Sequence, residues 1–270
     1  MLTRSRLSPD LAADLRKTAQ AMADAARAAT LPHFRARDLA ADNKLAGGFD
    51  PVTVADRAAE AAMRAVLVAR RPADAVLGEE QAALPGESGL TWVLDPIDGT
   101  RGFISGTPTW GVLIGLNDAD GPFYGIIDQP YIGERFEGGL GLARVVGPRG
   151  EAALGVRPAA SLAEATLFST FPEVGTGAER AAFGRVRDAV RLTRYGMDCY
   201  AYALLAAGQV DLVIEAGLHP YDIAAPIAVI EAAGGIVSDW QGGPVHEGGQ
   251  VIAAASTALH VAALKLLQPA

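Results

Sequence analysis

The sequence predicts an α+β protein in which the first half mixes helices with antiparallel strands and the second half forms an α/β layer. Of the 270 residues, 50% are hydrophobic, enough to bury a large core in one domain or two packed subdomains. Strand patterns separated by Gly and Asp turns follow one another from Thr109 to about Val146. Strands then alternate with helices, as in α/β layers. We therefore expect an N-terminal α+β subdomain over residues 1–146 and a C-terminal α/β subdomain over residues 147–270.

Two helices and five strands are predicted in the first half. Ser8, Pro9 and Asp10 form a helix start, with a capping hydroxyl, a proline in the first turn and an acid near the positive end of the helix. This helix should run to about Thr30, and a second should cover residues 56–71. The predicted strands are DAVLGEE, LTWVLDP, WGVLIGL, GPFYGIIDQP and ERFEGGLGLARVV.

Strands and helices alternate in the second half. The predicted strands are ATLFST, RLTRY, VDLVIEAG, GIVSDW and VIAAAS. The predicted helices cover residues 177–189, 198–207, 222–233 and 257–267. Because the chain has no long linker between the halves, we expect them to pack as one compact unit.

Composition excludes several classes of protein. The net charge is −8 and no basic run exists, so nucleic acid is not expected as a partner. A single cysteine, Cys199, excludes an internal disulfide and suits a reducing compartment. The first residues are polar and charged, unlike a signal peptide, and no apolar run reaches the roughly 18 residues that span a membrane. We therefore expect a cytoplasmic protein with no membrane partner.

Acidic residues recur where strands or loops end and helices begin. They are Asp56, Glu79, Asp95, Asp98 and Asp222. Carboxylates from several elements, together with a backbone carbonyl, are the hard oxygen ligands that Mg²⁺ prefers. Pro96 stiffens the bend between Asp95 and Asp98, so both carboxylates can lie on one side of a turn. The Ile97 carbonyl would then face a metal, whose charge would relieve the repulsion between the carboxylates.

Each of these acids also has a purely structural interpretation. Asp56 and Asp222 can cap helices, and Glu79 can be a solvated loop residue. Asp95 and Asp98 can be turn-forming residues in DPIDG. No single position distinguishes these interpretations from a metal site, so the whole pattern has to be considered.

Three segments carry a family resemblance. They are GEE at 78–80, DPIDGT at 95–100 and YDIAAPIAVIEAAGG at 221–235. In this order and spacing, over almost the whole chain, they resemble the inositol monophosphatase superfamily of Mg²⁺-dependent phosphatases. The resemblance implies a layered αβαβα sandwich of the inositol monophosphatase and fructose-bisphosphatase type. It also implies a small phosphate monoester as substrate and a homodimer.

The resemblance further implies a set of metal ligands, most of them in the N-terminal subdomain. Glu79, Asp95 and the Ile97 carbonyl would hold one Mg²⁺, and Asp95, Asp98 and Asp222 would hold a second. A third, weaker ion would lie near Glu79, so that each active site would hold two or three ions. Asp95 would bridge the first two ions.

The same resemblance implies catalytic and phosphate-binding roles. Asp56 would form a hydrogen bond with Thr100, and this pair, together with Glu79, would orient and deprotonate the attacking water. The backbone amides of Gly99 and Thr100, expected at a helix N-terminus, would bind phosphate. Lys44 matches a lysine near the metal site, although it can equally be an exposed loop lysine.

Two longer segments resemble the histidinol-phosphate branch of the superfamily. They are TRGFISGTPTWGVLIGL at 100–116 and GMDCYAYALLAAGQVDLVIEAGLHPYDIAAPI at 196–227. This resemblance implies hydrolysis of L-histidinol phosphate to L-histidinol and phosphate in histidine biosynthesis. The alternative is an inositol-1-phosphate or broad-specificity sugar-phosphate phosphatase.

Four residues are candidates for substrate recognition. Asp198 and Glu215 could pair with the amine and orient the imidazole of histidinol phosphate. Asp198 could instead be a helix N-cap. Arg194 could contact substrate from a neighbouring subunit or simply end a strand. Arg101 could face the phosphate or the solvent.

Overall fold

A computed structural model describes residues 2–37, 39–43, 51–158 and 161–268. The helices are α1 (Pro9–Thr30), α2 (Val54–Arg70), α3 (Thr100–Ser105), α4 (Gly177–Arg187), α5 (Tyr200–Ala206), α6 (Pro220–Ala232) and α7 (Thr257–Leu267). The strands of the first half are β1 (Ala41–Asn43), β2 (Pro51–Thr53), β3 (Ala75–Gly78), β4 (Thr91–Asp98), β5 (Gly111–Asp118), β6 (Gly121–Gln129), β7 (Glu134–Gly139), β8 (Leu142–Gly147) and β9 (Gly150–Ala153). The remaining strands are β10 (Thr166–Ser169), β11 (Leu192–Tyr195), β12 (Leu212–Leu218), β13 (Ile236–Ser238) and β14 (Gly249–Ala254).

The strands form two large sheets and one short pair. Strands β3 to β9 make a seven-stranded sheet in chain order, with β3 parallel to β4 and all other neighbours antiparallel. The second sheet has five strands in the order β11-β10-β12-β14-β13. Its β10 is parallel to both β11 and β12, as in an α/β layer. Among the described strands, β1 and β2 pair only with each other.

Helices and sheets stack in five layers. Helices α1 and α2 pack together on one face of the seven-stranded sheet. Helices α5 and α6 lie between the two sheets, and α4 and α7 cover the outer face of the five-stranded sheet. The predicted αβαβα sandwich is therefore confirmed. None of the described helices combines the length and apolarity needed to cross a membrane.

Local sequence signals explain the helix starts. The Ser8 hydroxyl accepts a hydrogen bond from the Leu11 amide at the first turn of α1, as the capping pattern predicts. Helix α2 begins slightly earlier than expected because Thr53 and Asp56 form a capping box. Strand β9 was not predicted. It extends the first sheet beyond residue 146, and the division into two subdomains stays a prediction.

Three glycines bring α6 close to the first sheet. Gly115, Gly125 and Gly138 lie side by side on β5, β6 and β7. A Cβ at Gly125 would lie 2.5 Å from the Ala225 carbonyl oxygen, and one at Gly115 would lie 2.8 Å from Ala224 Cβ. Larger side chains would therefore push the helix away. The close approach places the first turn of α6 beside the end of β4.

Candidate active site

A bulge at the end of β4 explains how two aspartates come together. Asp95 is opposite Leu113 and Asp98 is opposite Gly111, so β4 has one residue more than β5 in this interval. In a regular strand, side chains three positions apart point to opposite faces of the sheet. The extra residue in the bulge allows the side chains of Asp95 and Asp98 to point to the same face. Pro96 is tolerated within it because a bulge leaves a backbone position without a ladder partner.

Three carboxylates converge at this bulge. One oxygen each from Asp95, Asp98 and Asp222 lie within 4.8 Å of one another. Backbone amides orient all three. The Ile97 amide donates to Asp95 at 3.0 Å, the Cys199 amide to Asp98 at 2.6 Å, and the His219 amide to Asp222 at 2.6 Å.

The cluster needs positive charge. Burial raises the pKa of Asp95 well above its usual value, and the nearby negative charges of Glu79, Asp98 and Asp222 raise it further. Burial, followed by Asp198 and Asp222, raises the pKa of Asp98 in the same way. A divalent cation with a preference for hard oxygen ligands would relieve this repulsion, so the donor set fits Mg²⁺.

The predicted metal ligands share one cavity of about 250 Å³. The residues expected to bind metal that line it are Glu79, Asp95, Ile97, Asp98 and Asp222. Gly99, Thr100 and Arg101 line the same cavity, at the beginning of α3. The Arg101 guanidinium lies 5.0 Å from the centre of the Phe171 ring, so Arg101 reaches the cavity wall contributed by the second half of the chain.

Asp56 caps helix α2 and also contacts Thr100, as the two interpretations of the sequence predicted. Its Oδ2 accepts hydrogen bonds from the Thr53 amide and hydroxyl at 2.8 and 2.6 Å, which caps α2. Its Oδ1 lies 3.3 Å from the Thr100 hydroxyl, which also lies 3.1 Å from the Ile97 carbonyl. The expected contact between Asp56 and Thr100 is therefore present, and its part in catalysis stays a prediction.

A second cavity, also of about 250 Å³, adjoins the first. Asp98, Phe171, Asp198 and Asp222 line both cavities, which therefore share a wall. Glu215 lines only the second one. A ligand bound at the carboxylate cluster can therefore extend into the second cavity.

Glu215 is buried at an irregularity in β12. It accepts hydrogen bonds from the Thr170 amide at 2.6 Å, the Thr170 hydroxyl at 2.9 Å and the Ser169 hydroxyl at 3.3 Å. Burial raises the pKa of Glu215 to about 7, although these hydrogen bonds lower it in part. The side chain is thus held rigidly and is close to its titration point at neutral pH.

Asp198 occupies the wall between the cavities. Its φ is 45°, in the left-handed region, and its carboxylate packs so closely on Gly99 that a Cβ there would lie 2.7 Å from Asp198 Cγ. The carboxylate accepts a hydrogen bond from the Thr109 hydroxyl at 3.3 Å. Cys199, not Asp198, is the N-cap of α5. The N-cap interpretation of Asp198 is therefore not supported.

The structure does not bring every candidate to the site. Arg194 is exposed on the edge strand β11 and is not among the described residues that line the two cavities. Lys44 lies outside the described residues. Sequence reasoning missed two aromatic residues of the cavity walls, Phe171 and Tyr202. Phe171 follows the end of β10, a location that could have drawn attention to it because other site residues also follow strands.

Comparison with known proteins gives the family. The chain matches the inositol monophosphatase family over residues 12–270. It is 37% identical over 240 residues to the histidinol-phosphatase of Mycobacterium tuberculosis, covering 87% of this chain and 91% of the relative. It is 40% identical over 259 residues to the chloroplastic bifunctional phosphatase IMPL2 of Arabidopsis thaliana, covering 92% and 73%.

A solved structure agrees with these matches. An inositol monophosphatase from Zymomonas mobilis superimposes with a TM-score of 0.83 at 40% identity, covering 94% of this chain and 98% of that one. The family match over residues 12–270 includes the three carboxylates of the cluster. The chain therefore belongs to the inositol monophosphatase family and is a phosphatase of that family.

Proposed function

We propose that this protein is a magnesium-dependent phosphomonoesterase that hydrolyses L-histidinol phosphate to L-histidinol and phosphate, a reaction of histidine biosynthesis. One observation carries the proposal. Two acidic side chains, Asp198 and Glu215, line the cavity that adjoins the carboxylate cluster. A leaving group with an amine and an imidazole would find an acidic partner for each there, whereas a neutral polyol would bring no positive charge to either carboxylate.

The relatives support this substrate class. The Mycobacterium tuberculosis protein is named a histidinol-phosphatase and is similar over nearly all of both chains. The names of the relatives do not identify the leaving group for this chain. The carboxylate cluster does not identify it either, since histidinol-phosphatases and inositol monophosphatases require the same phosphate chemistry. The proposal therefore depends on the second cavity.

The carboxylates would hold two or three magnesium ions. Asp95, Asp98 and Asp222 would supply the ligands that the structure brings together, and Glu79 and the Ile97 carbonyl would add to them from the same cavity wall. Magnesium, when bound, neutralises phosphoryl oxygens and acidifies water. This chemistry suits phosphate monoesters, whose uncatalysed hydrolysis is extremely slow.

The residues of β4 and α3 would orient the reaction. The Thr100 hydroxyl, held between Asp56 and the Ile97 carbonyl, can pass a proton from the attacking water to the buried Asp56 carboxylate. Glu79 would help to orient that water. Gly99 and Thr100 begin α3, so their backbone amides would donate hydrogen bonds to the phosphoryl group.

The second candidate is an inositol-1-phosphate or broad sugar-phosphate phosphatase. The specific observation in its favour is that a buried carboxylate such as Glu215 can accept hydrogen bonds from hydroxyl groups as well as from an amine. The solved relative from Zymomonas mobilis is also named an inositol monophosphatase. For either candidate we propose a cytoplasmic homodimer in which Arg194 could reach the neighbouring subunit's substrate.

Substrate preference tests the proposal. Purified protein with Mg²⁺ should hydrolyse histidinol phosphate with a kcat/KM at least about tenfold above that for inositol 1-phosphate. Asp198→Asn should lower the value for histidinol phosphate more than the value for inositol 1-phosphate, because only the first leaving group is cationic. Asp188→Asn, which neutralises an exposed acid paired with Arg187, is the matched control and should change neither. A higher kcat/KM for inositol 1-phosphate would refute the histidinol assignment.

A further inference from the structure

Tyr202 on α5 has a buried hydroxyl that lacks a hydrogen-bond partner within the described parts of the chain. The residue is only 4% exposed, and no described residue forms a hydrogen bond with its hydroxyl. The other tyrosine of this helix and the buried tyrosine of β6 differ from it. The Tyr200 hydroxyl donates to Glu134 at 2.8 Å, and the Tyr124 hydroxyl donates to Glu137 at 2.7 Å.

An unpaired buried hydroxyl is unfavourable and calls for an explanation. It has lost its bonds to water on folding without gaining bonds to protein. Phenylalanine would fill the same volume without that cost. The hydroxyl at position 202 is therefore better explained by a partner that the protein does not itself provide.

The position of Tyr202 indicates what that partner is. Tyr202 lines the second cavity together with Asp198 and Glu215, and this cavity shares Asp98 and Asp222 with the carboxylate cluster. When the phosphoryl group of an ester lies at that cluster, the leaving group can extend into the second cavity. A phenol both donates and accepts a hydrogen bond, so Tyr202 can bind a ring nitrogen that the two carboxylates do not bind.

We infer that Tyr202 is a specificity-determining residue whose hydroxyl forms a hydrogen bond with a polar atom of the leaving group. This role complements that of the two acids, because Asp198 and Glu215 recognise positive charge whereas Tyr202 recognises a hydrogen-bonding atom. That the atom is an imidazole nitrogen rests on the proposed function. The contact between the Tyr202 hydroxyl and the leaving group does not depend on the proposed function.

Tyr202→Phe tests the inference, with Tyr200→Phe as the control on the same helix. Initial rates would be measured for histidinol phosphate, inositol 1-phosphate and p-nitrophenyl phosphate. Tyr202→Phe should lower kcat/KM about tenfold more for the preferred biological ester than for p-nitrophenyl phosphate, whose nitro oxygens are weak acceptors and whose ring carries no basic nitrogen or free hydroxyl. Tyr200→Phe should leave the ratio between the esters unchanged, because its hydroxyl bonds to Glu134 and does not line the cavity.

Thermal unfolding of the ligand-free variants separates binding from structure. Tyr202→Phe should not melt below the wild type, since its hydroxyl has no partner to lose among the residues that the structure describes. Tyr200→Phe should melt about 2 to 4 °C lower, since it loses a hydrogen bond. Equal losses for all three esters, no loss for any of them, or a lower melting temperature for Tyr202→Phe would overturn the inference.

The wild-type ranking of the esters tests the proposed function independently. If inositol 1-phosphate is preferred and Tyr202→Phe selectively impairs its hydrolysis, the histidinol assignment fails while the role of Tyr202 stands, with an inositol hydroxyl in place of the ring nitrogen. If histidinol phosphate is preferred and Tyr202→Phe impairs all esters equally, the role of Tyr202 fails alone.

Discussion

At the scale of single residues, Glu215 shows how burial changes the ionisation of an acid that we propose recognises the substrate. Three donors from Ser169 and Thr170 fix its side chain, while burial raises its pKa to about 7. Such a carboxyl group is only partly ionised at neutral pH. Its attraction for a cationic leaving group should therefore depend on pH in the physiological range.

The pH dependence of Glu215→Gln measures this effect. In the wild type, kcat/KM for histidinol phosphate should rise between about pH 6 and about pH 8 relative to Glu215→Gln, as the carboxylate forms. The imidazole of the substrate titrates identically with both proteins, so their ratio isolates the protein group. A ratio that does not change with pH would contradict ionisation of Glu215 near neutrality.

The raised pKa of Glu215 also affects stability. Stability should fall as the pH rises, whereas kcat/KM for histidinol phosphate should increase. Because the folded-state pKa of Glu215 lies above the ordinary value of 4.5, the folded protein binds its proton more tightly than the unfolded chain does. The contribution of Glu215 to stability is therefore full below about pH 4.5 and is lost as the pH rises through about 7. Urea unfolding in the absence of metal should show the wild type losing stability relative to Glu215→Gln over this range.

At the scale of elements, the site depends on the depth at which α6 lies against the first sheet. Gly115, Gly125 and Gly138 remove side chains from three neighbouring strands, and α6 fills the space. This contact holds Asp222 within reach of the β4 bulge. The packing of a helix thus determines whether the third carboxylate joins the other two.

Gly125→Ala tests this dependence. The new Cβ would lie 2.5 Å from the Ala225 carbonyl oxygen, so the helix must move. We expect a loss of about 1 to 3 kcal/mol in the free energy of unfolding and at least a severalfold loss of magnesium-dependent phosphatase activity. Urea unfolding and initial rates check both.

Gly177→Ala is the matched control for this substitution. It adds the same methyl group in the first turn of α4, where nothing lies within 4 Å. Its stability should be unchanged or up to about 1 kcal/mol higher, because alanine favours a helix more than glycine does. A Gly125→Ala protein with wild-type stability and activity would show that the position of α6 does not depend on these glycines.

At the scale of the whole molecule, the layers could be predicted from the sequence. Apolar periodicity and caps such as Ser8 located α1, and alternating strand and helix patterns located the elements of the second half. The four acids of the predicted metal site, Glu79, Asp95, Asp98 and Asp222, could be selected because they occur together in segments that resemble one family. Local sequence patterns were sufficient to predict the helices and strands, and the joint occurrence of the acids was sufficient to predict the metal site.

Features that depend on distant contacts could not be predicted. The φ of Asp198 and its packing on Gly99 arise from the approach of two segments far apart in the chain. The second cavity is similarly assembled from the segment that follows β10, from α5 and from β12. The sequence near Tyr202 therefore carries no sign of it, and the only local hint is that Phe171 follows a strand. Strand β9 is short and exposed, and therefore has no hydrophobic alternation to reveal it.

The central claim is that the carboxylates of β4 and α6 form the metal centre of a phosphatase. Phosphate release from histidinol phosphate by metal-stripped protein, measured before and after addition of Mg²⁺, tests it most directly. We predict no release above background without Mg²⁺ and full activity when Mg²⁺ is restored, because the clustered negative charges repel the phosphate dianion until a cation is bound. Release that continues at the same rate in excess chelator would contradict the account.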